Sequence, residues 1–509
     1  MNMLKALFDA PAADWTRFFL FTAGITAFIG ISEKTRSALG WSPEVTRKLV
    51  HVGTGVLIVF SPLFFTSVKP LLWMAVLFIA VNFAGVRSGK LKGMHDTSRR
   101  SYGTVYYPLT FLVLTALCWN GYRSVLIVSM MVLAFSDAAA AVVGELMRKP
   151  HEYRLGADKK SLEGSAAMFA VSFLLIALFL PPLAARDGLS VTMGTALWIA
   201  AVAAVLATGL EAVSSGGSDN LTAPLGAAFV LYFMMTGGQD ASLRFTIGMA
   251  LAAAVALLSF RLHFLNASGS AGTFLLASFL FGVGGWAWAV PILVFFLSSS
   301  LLSKTGRVRK KTVESLYEKS STRDAGQVFA NGGAAGLLVI ANGLRPDPAW
   351  YGLYLGAVAA VNADTWATEL GVFSPSRPVL ITRLRPVSHG VSGAVTPLGF
   401  IGAGLGSLLI GLSGLLVAPS FFHAWGIESA LAAITAAGFL ASVADSVFGA
   451  TVQAQYVCAG CGKTTERRNH CGKPTRLTSG WEWINNDAVN FACSVVGALA
   501  VWGMMSLTY

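Results

Sequence analysis

The chain has 509 residues, of which 55% are hydrophobic and 12% charged, with a mean hydropathy of +0.64. That balance excludes a disordered chain and an ordinary soluble enzyme, neither of which fits so much apolar side chain among so few charges. Lys and Arg number 37 against 25 Asp and Glu, a net charge of +12, which in a membrane protein reads first as basic loops facing anionic lipid, with no nucleic-acid partner implied.

Apolar runs of spanning length occur at residues 17–33, 49–66, 70–86, 105–119, 124–146, 162–182, 190–210, 221–236, 244–260, 269–283, 287–303, 327–343, 351–372, 390–418, 427–450 and 488–507. They predict an all-α polytopic membrane protein with about sixteen transmembrane helices. The first run is not followed by a small-residue cleavage site and reads as an anchor helix, not a leader. With the N-terminus outside and strict alternation, only Lys5, Arg17, Lys69, Arg123, Arg186, Arg244 and Arg345 of the 37 basic residues stay outside. The other 30 face inward, which predicts that orientation in a bacterial cytoplasmic membrane. Gly399, Gly402, Gly404, Gly406, Gly411 and Gly414 crowd one run and predict close helix packing.

Acidic residues within apolar runs are costly and therefore informative. The fifth run reads AFSDAAAAVVGELMRK, with Asp137 roughly 12–15 Å from the inner end and Ala141 and Gly144 on its face. The thirteenth reads NADTWATELGVF, where Asp364, Thr368 and Gly371 repeat the D-x2-A-x3-G spacing with Glu369 beside them. A Thr-Arg pair precedes each: Thr46-Arg47-Lys48 leading to His51, and Thr322-Arg323 leading to Gln327 and Asn331. A basic loop and a Gly/Ser-rich helix start come after each, Lys159-Lys160-Ser161-Leu162-Glu163-Gly164-Ser165 in one case, and Arg383, Arg385 and then Ser388-His389-Gly390 in the other. Next come Glu211 or Asp445 near an inner helix end, then Asp219-Asn220 or Asn486-Asp487 opening another helix. This shared order predicts two related modules, 1–238 and 239–509.

In the predicted topology every one of these motifs faces the cytoplasm. Asp137, Glu211, Asp364 and Asp445 lie on helices whose negative ends point inward, a setting for an oxygen-liganded cation such as Mg²⁺, with Asp219 and Asp487 as further ligands. Arg47, Lys48, Lys160, Arg323 and His389 lie at helix starts, where free N–H groups and cations receive phosphate. Together they suit nucleotide chemistry on a lipid whose tail lies in the bilayer. Cys461-Gly462-Lys463-Thr464 lacks the upstream glycine and the strand context of a P-loop. Cys458, Cys461, His470 and Cys471 share one loop within 451–487. Cys3His suits a tetrahedral structural Zn²⁺, although the His-Cys adjacency strains ligation by both; a metal-free loop is the alternative. Cys118 and Cys493 read as core.

At these residues the chain resembles known families. Residues 40–236, through RKLVH, SDAAAAVVGE, KKSLEGS and E-x7-DNLTAPL, are similar to the group of dolichol kinase, phytol kinase and CDP-diacylglycerol synthase. Residues 243–509, through TRDAGQVFANGG, NADTWATELG, HGVSGAVTPLG, ADSVFGATVQ and HCGKPTRLTSGWEWINNDAVN, resemble the membrane family that includes phytyl-phosphate kinase. The resemblance implies a CTP site at Asp137, Gly144, Lys160, Glu163, Glu211, Asp219 and Asn220, with Gly164 beside it. It implies a second site at Asp364, Glu369, His389, Asp445, Asn486 and Asp487, with Gly371 beside it. The expected activity is a bifunctional kinase that converts an isoprenoid alcohol (phytol, geranylgeraniol or farnesol type) to its monophosphate and then its diphosphate, with CTP and Mg²⁺. A lipid-phosphate cytidylyltransferase is the alternative within the fold. A two-repeat transporter is the alternative outside it, disfavoured because the charges cluster at one face instead of mid-bilayer. The oligomeric state is left open.

Overall fold

The computed structural model describes residues 8–41, 43–88, 101–304, 322–388 and 390–507. The chain is an all-α polytopic membrane protein, and among the described residues eleven helices are long and apolar enough to cross a membrane. It divides into two compact units, Met1–Ser242 and Leu243–Tyr509.

Unit 1 contains α1 (Ala12–Leu39), α2 (Pro43–Phe60), α3 (Val68–Ser88) and α4 (Gly103–Cys118). Then α5 (Arg123–Met131) runs through a π turn, Val132–Ser136, into α6 (Asp137–Leu146). Residues 124–134 are all buried, as expected of a helix apolar all round. A two-stranded hairpin, β1 (Glu152–Tyr153) and β2 (Lys160–Ser161), leads to α7 (Leu162–Arg186), α8 (Met193–Val213) and α9 (Asp219–Thr236). Leu20, Leu174 and Leu178 are more than half exposed, the outward apolar surface that lipid requires.

The helix α10 (Gly238–Arg261) begins in unit 1 and continues into unit 2. The next, α11 (Ala267–Lys304), would be roughly 57 Å long if straight, too long for one crossing. Gly285 breaks it with φ 62° and ψ −157°, a backbone state open to glycine. Lys304 Nζ donates to the Leu262 carbonyl at 3.0 Å, so the end of α11 lies beside its beginning and the chain has doubled back. The runs at 269–283 and 287–303 are thus the two arms of one hairpin.

Unit 2 continues with α12 (Ala325–Leu344), α13 (Pro348–Gly371), α14 (Pro397–Val417), α15 (Pro419–Trp425), α16 (Ile427–Thr451) and α17 (Asn486–Ser506). The central helix is α13, buried from Tyr354 to Ala363 and packed by α14, α16 and α17. The glycine-crowded α14 packs closely, as expected: a Cβ at Gly402 would stand 2.7 Å from the Trp366 carbonyl, and one at Gly406 3.0 Å from that of Asn362. Short strands β3 (Val379–Leu380), β4 (Arg385–Pro386) and β5 (Ala394–Val395) form one sheet.

One helix starts later than its apolar run, and four of the runs fall outside the eleven. The runs at 49–66, 105–119, 221–236 and 351–372 form α2, α4, α9 and α13, which are not among the eleven helices of spanning length and apolarity. The run at 390–418 begins its helix only at Pro397, where the Thr396 hydroxyl caps Gly399 N at 3.0 Å and Pro397 takes the first turn.

Candidate active site

In unit 1 a cavity of about 770 Å³ opens between α1, α2, α3, α4, α6, α8 and α9. This is the size range of small-molecule and cofactor sites. Ile25, Ile29, Ile58 and Phe78 line it on the apolar side; Arg47, Lys48, His51, Asp137, Lys160, Glu211, Asp219 and Asn220 line it on the polar side. Residues spread over 174 positions of sequence, from Arg47 to Asn220, therefore meet in one space.

The β1–β2 hairpin sets Lys160 opposite Tyr153, and Ser161 then caps α7 through Gly164 N at 3.1 Å. From there the Lys160 ammonium reaches both Glu211, in the last turn of α8, and Asp219 Oδ2 at 3.0 Å, at the first residue of α9. Burial disfavours its charge, but Asp219 and Glu211, with Asp137 behind them, outweigh that and hold Lys160 above its usual range. Glu211 Oε2 is buried and receives no hydrogen bond among the described residues. A buried acceptor without a donor is costly, and a bound metal ion would satisfy it. Asp137, Glu211 and Asp219 all line the cavity, and their carboxylates are the kind of hard oxygen donor that Mg²⁺ takes.

The π turn directly precedes Asp137. Such turns widen a helix and are frequent at functional sites. Here the Leu133 carbonyl within it accepts from His51 Nε2 at 3.0 Å, and the same nitrogen lies 3.7 Å from Asp137 Oδ2. A carbonyl only accepts, so Nε2 carries the proton. The His51 ring meets Tyr107 edge-on, with 5.0 Å between centroids. Lys48 pairs with Glu145, while Arg47 and Lys160 lie within electrostatic range of Asp137.

Some expected ligands have other local roles. Glu163 turns to His151, accepting from its backbone N at 3.1 Å and its Nδ1 at 2.7 Å, and is not among the cavity's lining residues. Gly144 and Gly164 line the cavity, but each also lets α6 and α7 touch. A Cβ at Gly144 would stand 2.9 Å from Ser161 Oγ, and one at Gly164 2.9 Å from the Ala140 carbonyl. Asn220 Nδ2 donates to the Gly103 carbonyl at 3.1 Å, tying α9 to α4. Tyr107 and Asp158 join the wall without a sequence signal to mark them; Asp158 holds Gly216 N at 2.8 Å.

In unit 2 the carboxyls of Asp364 on α13 and Asp445 on α16 lie beside each other, with Glu466 in electrostatic range. Glu466 Oε1 accepts from Ser392 Oγ at 2.9 Å and Gln453 Nε2 at 2.8 Å. Nothing in the motifs singled out Glu466, because only the folding of its loop brings it there. Arg323 lies against Phe295 and Phe296, at 5.5 and 5.8 Å from their centroids. Burial pulls its guanidinium down to about 10, with Glu369 opposing the shift. Asn486 and Asp487 occupy the first turn of α17, which packs on both α13 and α16. Gly371 is a packing residue whose Cβ would meet Thr396 Oγ1 at 3.2 Å. His389 lies outside the described residues.

The loop between α16 and α17 folds into β6 (Gln455–Val457), β7 (Thr464–Thr465), β8 (Asn469–His470), β9 (Lys473–Pro474) and β10 (Arg476–Ser479). It brings the ligand atoms of Cys458, Cys461, His470 and Cys471 within 4.8 Å of one another.

Fold and site together define an integral membrane protein with a polar, carboxylate-rich cavity beside apolar walls. The family model of "Integral membrane protein DUF92" matches residues 250–498. "Protein PGR" of Arabidopsis thaliana is 30% identical over 268 residues, 49% of this chain and 91% of that protein. A phytol kinase of Synechocystis is 32% identical over 204 residues, 38% of this chain and 81% of that protein. An uncharacterized membrane protein of Methanocaldococcus jannaschii is 26% identical over 261 residues, 51% of this chain and 94% of that protein. The chain belongs to the DUF92 integral membrane family and has phytol kinase relatives. No solved structure matches it.

Proposed function

We propose that this protein phosphorylates isoprenoid alcohols, with unit 1 making the monophosphate and unit 2 adding a second phosphate, CTP being the donor. The observation that carries the first half is the convergence of Lys160, Glu211, Asp219 and Asp137 in a cavity that also has apolar walls. The phytol kinase relatives support the same reaction class. An isoprenoid tail suits the Ile25, Ile29 and Phe78 side, and the reacting hydroxyl then meets the polar side. Phosphoryl transfer depends mainly on positioning and charge. Lys160, Arg47 and Lys48 neutralise phosphate oxygens, and all three open onto the cavity. With His51 Nε2–H given to the Leu133 carbonyl, the alcohol's proton goes to Asp137 or to His51 Nδ1, the ring nitrogen that keeps its lone pair. Mg²⁺, held by Asp219, Glu211 and Asp137, supplies charge neutralisation of the nucleotide phosphates when bound.

In unit 2 the acceptor is already a phosphate and needs no strong base. The Asp364–Asp445 pair, with Asp487, is the metal-binding group in this reading, and Arg323 with His389 is the phosphate-side group. The polar ends of both units face the cytoplasm.

The test uses purified full-length protein with [γ-³²P]CTP or [γ-³²P]ATP and phytol or farnesol. Wild type yields mono- and diphosphate. Asp137→Asn makes nothing from the alcohol and still extends supplied monophosphate; Asp364→Asn stops at monophosphate. A CDP-lipid with release of pyrophosphate identifies a cytidylyltransferase and overturns the kinase reading. Full activity in both variants overturns the sites.

A further inference from the structure

We propose that Cys458, Cys461, His470 and Cys471 bind one zinc ion, and that this ion fastens the loop that brings Glu466 to the Asp364–Asp445 pair. This cluster stands whether or not the protein is a kinase. Cys458 and Cys461 lie in the turn leaving β6; His470 and Cys471 lie at the tight turn between β8 and β9. Two turns present two ligands each, and all four ligand atoms fall within 4.8 Å. His470 Nδ1 is 3.5 Å from Cys461 Sγ and 3.3 Å from Cys471 Sγ. With Zn–S about 2.3 Å and Zn–N about 2.0–2.1 Å, a tetrahedron has S–N edges of roughly 3.5 Å. The two separations are close to that edge.

The backbone is shaped for the same end. Gly460 N points at Cys458 Sγ at 3.3 Å, and Gly462 N closes the turn on the Cys458 carbonyl at 2.8 Å. A donor aimed at sulfur favours the thiolate, the form that binds metal. Adjacent residues ordinarily point apart, so His470 and Cys471 look ill placed to share an ion. Cys471 resolves this by adopting φ 53°, a left-handed state uncommon for a residue other than glycine. That turn swings its sulfur back beside the His470 ring.

The cluster also has something to hold. Thr464 and Thr465 pair with Val457 and Tyr456 between the two ligand-bearing turns, and Glu466 comes immediately after them. Its carboxylate meets Ser392 and Gln453 and lies in range of Asp445. This loop has almost no apolar core of its own, and small segments of that kind draw their stability from metal. The ion is structural, with four protein ligands and no open position, and Glu466 is positioned through it.

The test begins with metal analysis of the full chain purified in detergent under reducing conditions without chelator. One zinc per chain is expected, and Co²⁺ exchange should give the visible bands of a tetrahedral thiolate site. Cys461→Ser should lose the ion, whereas Cys461→His should keep it. Chelator treatment of the wild type, which avoids any folding defect of a variant, should open trypsin cleavage at Arg467 and Arg468, and zinc should close it again. Absence of zinc after reconstitution, retention of zinc by Cys461→Ser, a disulfide among the three cysteines in the native protein, or a tryptic pattern indifferent to chelator would each overturn the proposal.

Discussion

Lys159 and Lys160 are neighbours in sequence with opposite expected consequences. Lys160 is 17% exposed and faces Glu211 and Asp219, at 6% and 18%. Lys159 and its partner Glu152 are 53% and 51% exposed. Removing one member of a buried ion pair leaves uncompensated charge and costs about 3–5 kcal/mol, whereas an exposed pair contributes about 0–1 kcal/mol. Lys160→Met should therefore lower stability by roughly 3 kcal/mol more than Lys159→Met. Adding Glu211→Gln to Lys160→Met should recover part of that loss, because one buried carboxylate is then gone. Thermal unfolding in detergent, with all four proteins scanned at one rate, measures this. Alcohol phosphorylation should fall by on the order of 10²–10³-fold in Lys160→Met, the usual effect of deleting a preorganised charge-stabilising donor, and stay within a few-fold in Lys159→Met. Equal unfolding temperatures for the two methionine variants would refute the account of the buried cluster.

Individual contacts set three further outcomes. Gly402→Val should cost about 1–3 kcal/mol by forcing α14 off α13, while Gly404→Val, whose Cβ meets nothing within 4 Å, should stay within about 1 kcal/mol of wild type by the same unfolding assay. Glu163→Gln should leave turnover within a few-fold, because Glu163 faces His151, which is 78% exposed; loss of turnover in a kinase assay would restore it as a nucleotide ligand. Tyr107→Phe should leave stability within about 1 kcal/mol, since its buried hydroxyl makes no hydrogen bond among the described residues; a larger drop in unfolding temperature would show that the hydroxyl holds a structural partner.

Much of the fold was legible because a membrane helix must declare itself locally, through an apolar run of sufficient length. The doubled-back α11 was legible for the same reason, as two runs separated at Gly284 and Gly285. The start of α14 was misplaced because Val391 to Val395 is apolar enough to pass for helix; Thr396-Pro397, a cap and then a first-turn proline, was the stop signal to weigh against it. The ordered series Asp137, Lys160, Glu211, Asp219 could be read from spacing, but not that Lys160 would bond two of the other three. Glu163 and Glu466 show how little spacing says about where a side chain ends up. One sits in a conspicuous motif and turns to a local partner; the other sits in an unremarkable stretch and is delivered by tertiary folding.

The π turn before Asp137 has a consequence for how this site could arise or be lost. A π turn is, in effect, one residue more than an α-helix needs, absorbed as a local bulge so that the helix beyond it keeps its direction. The count of residues between Met131 and Asp137 thus decides whether the bulge is present, and with it whether the Leu133 carbonyl faces His51. Substitutions scanned through Val132–Ser136 would leave that count intact. Deleting a single one of the five would restore a plain α-helix and take that carbonyl away from His51, with Asp137 still pointing much as before.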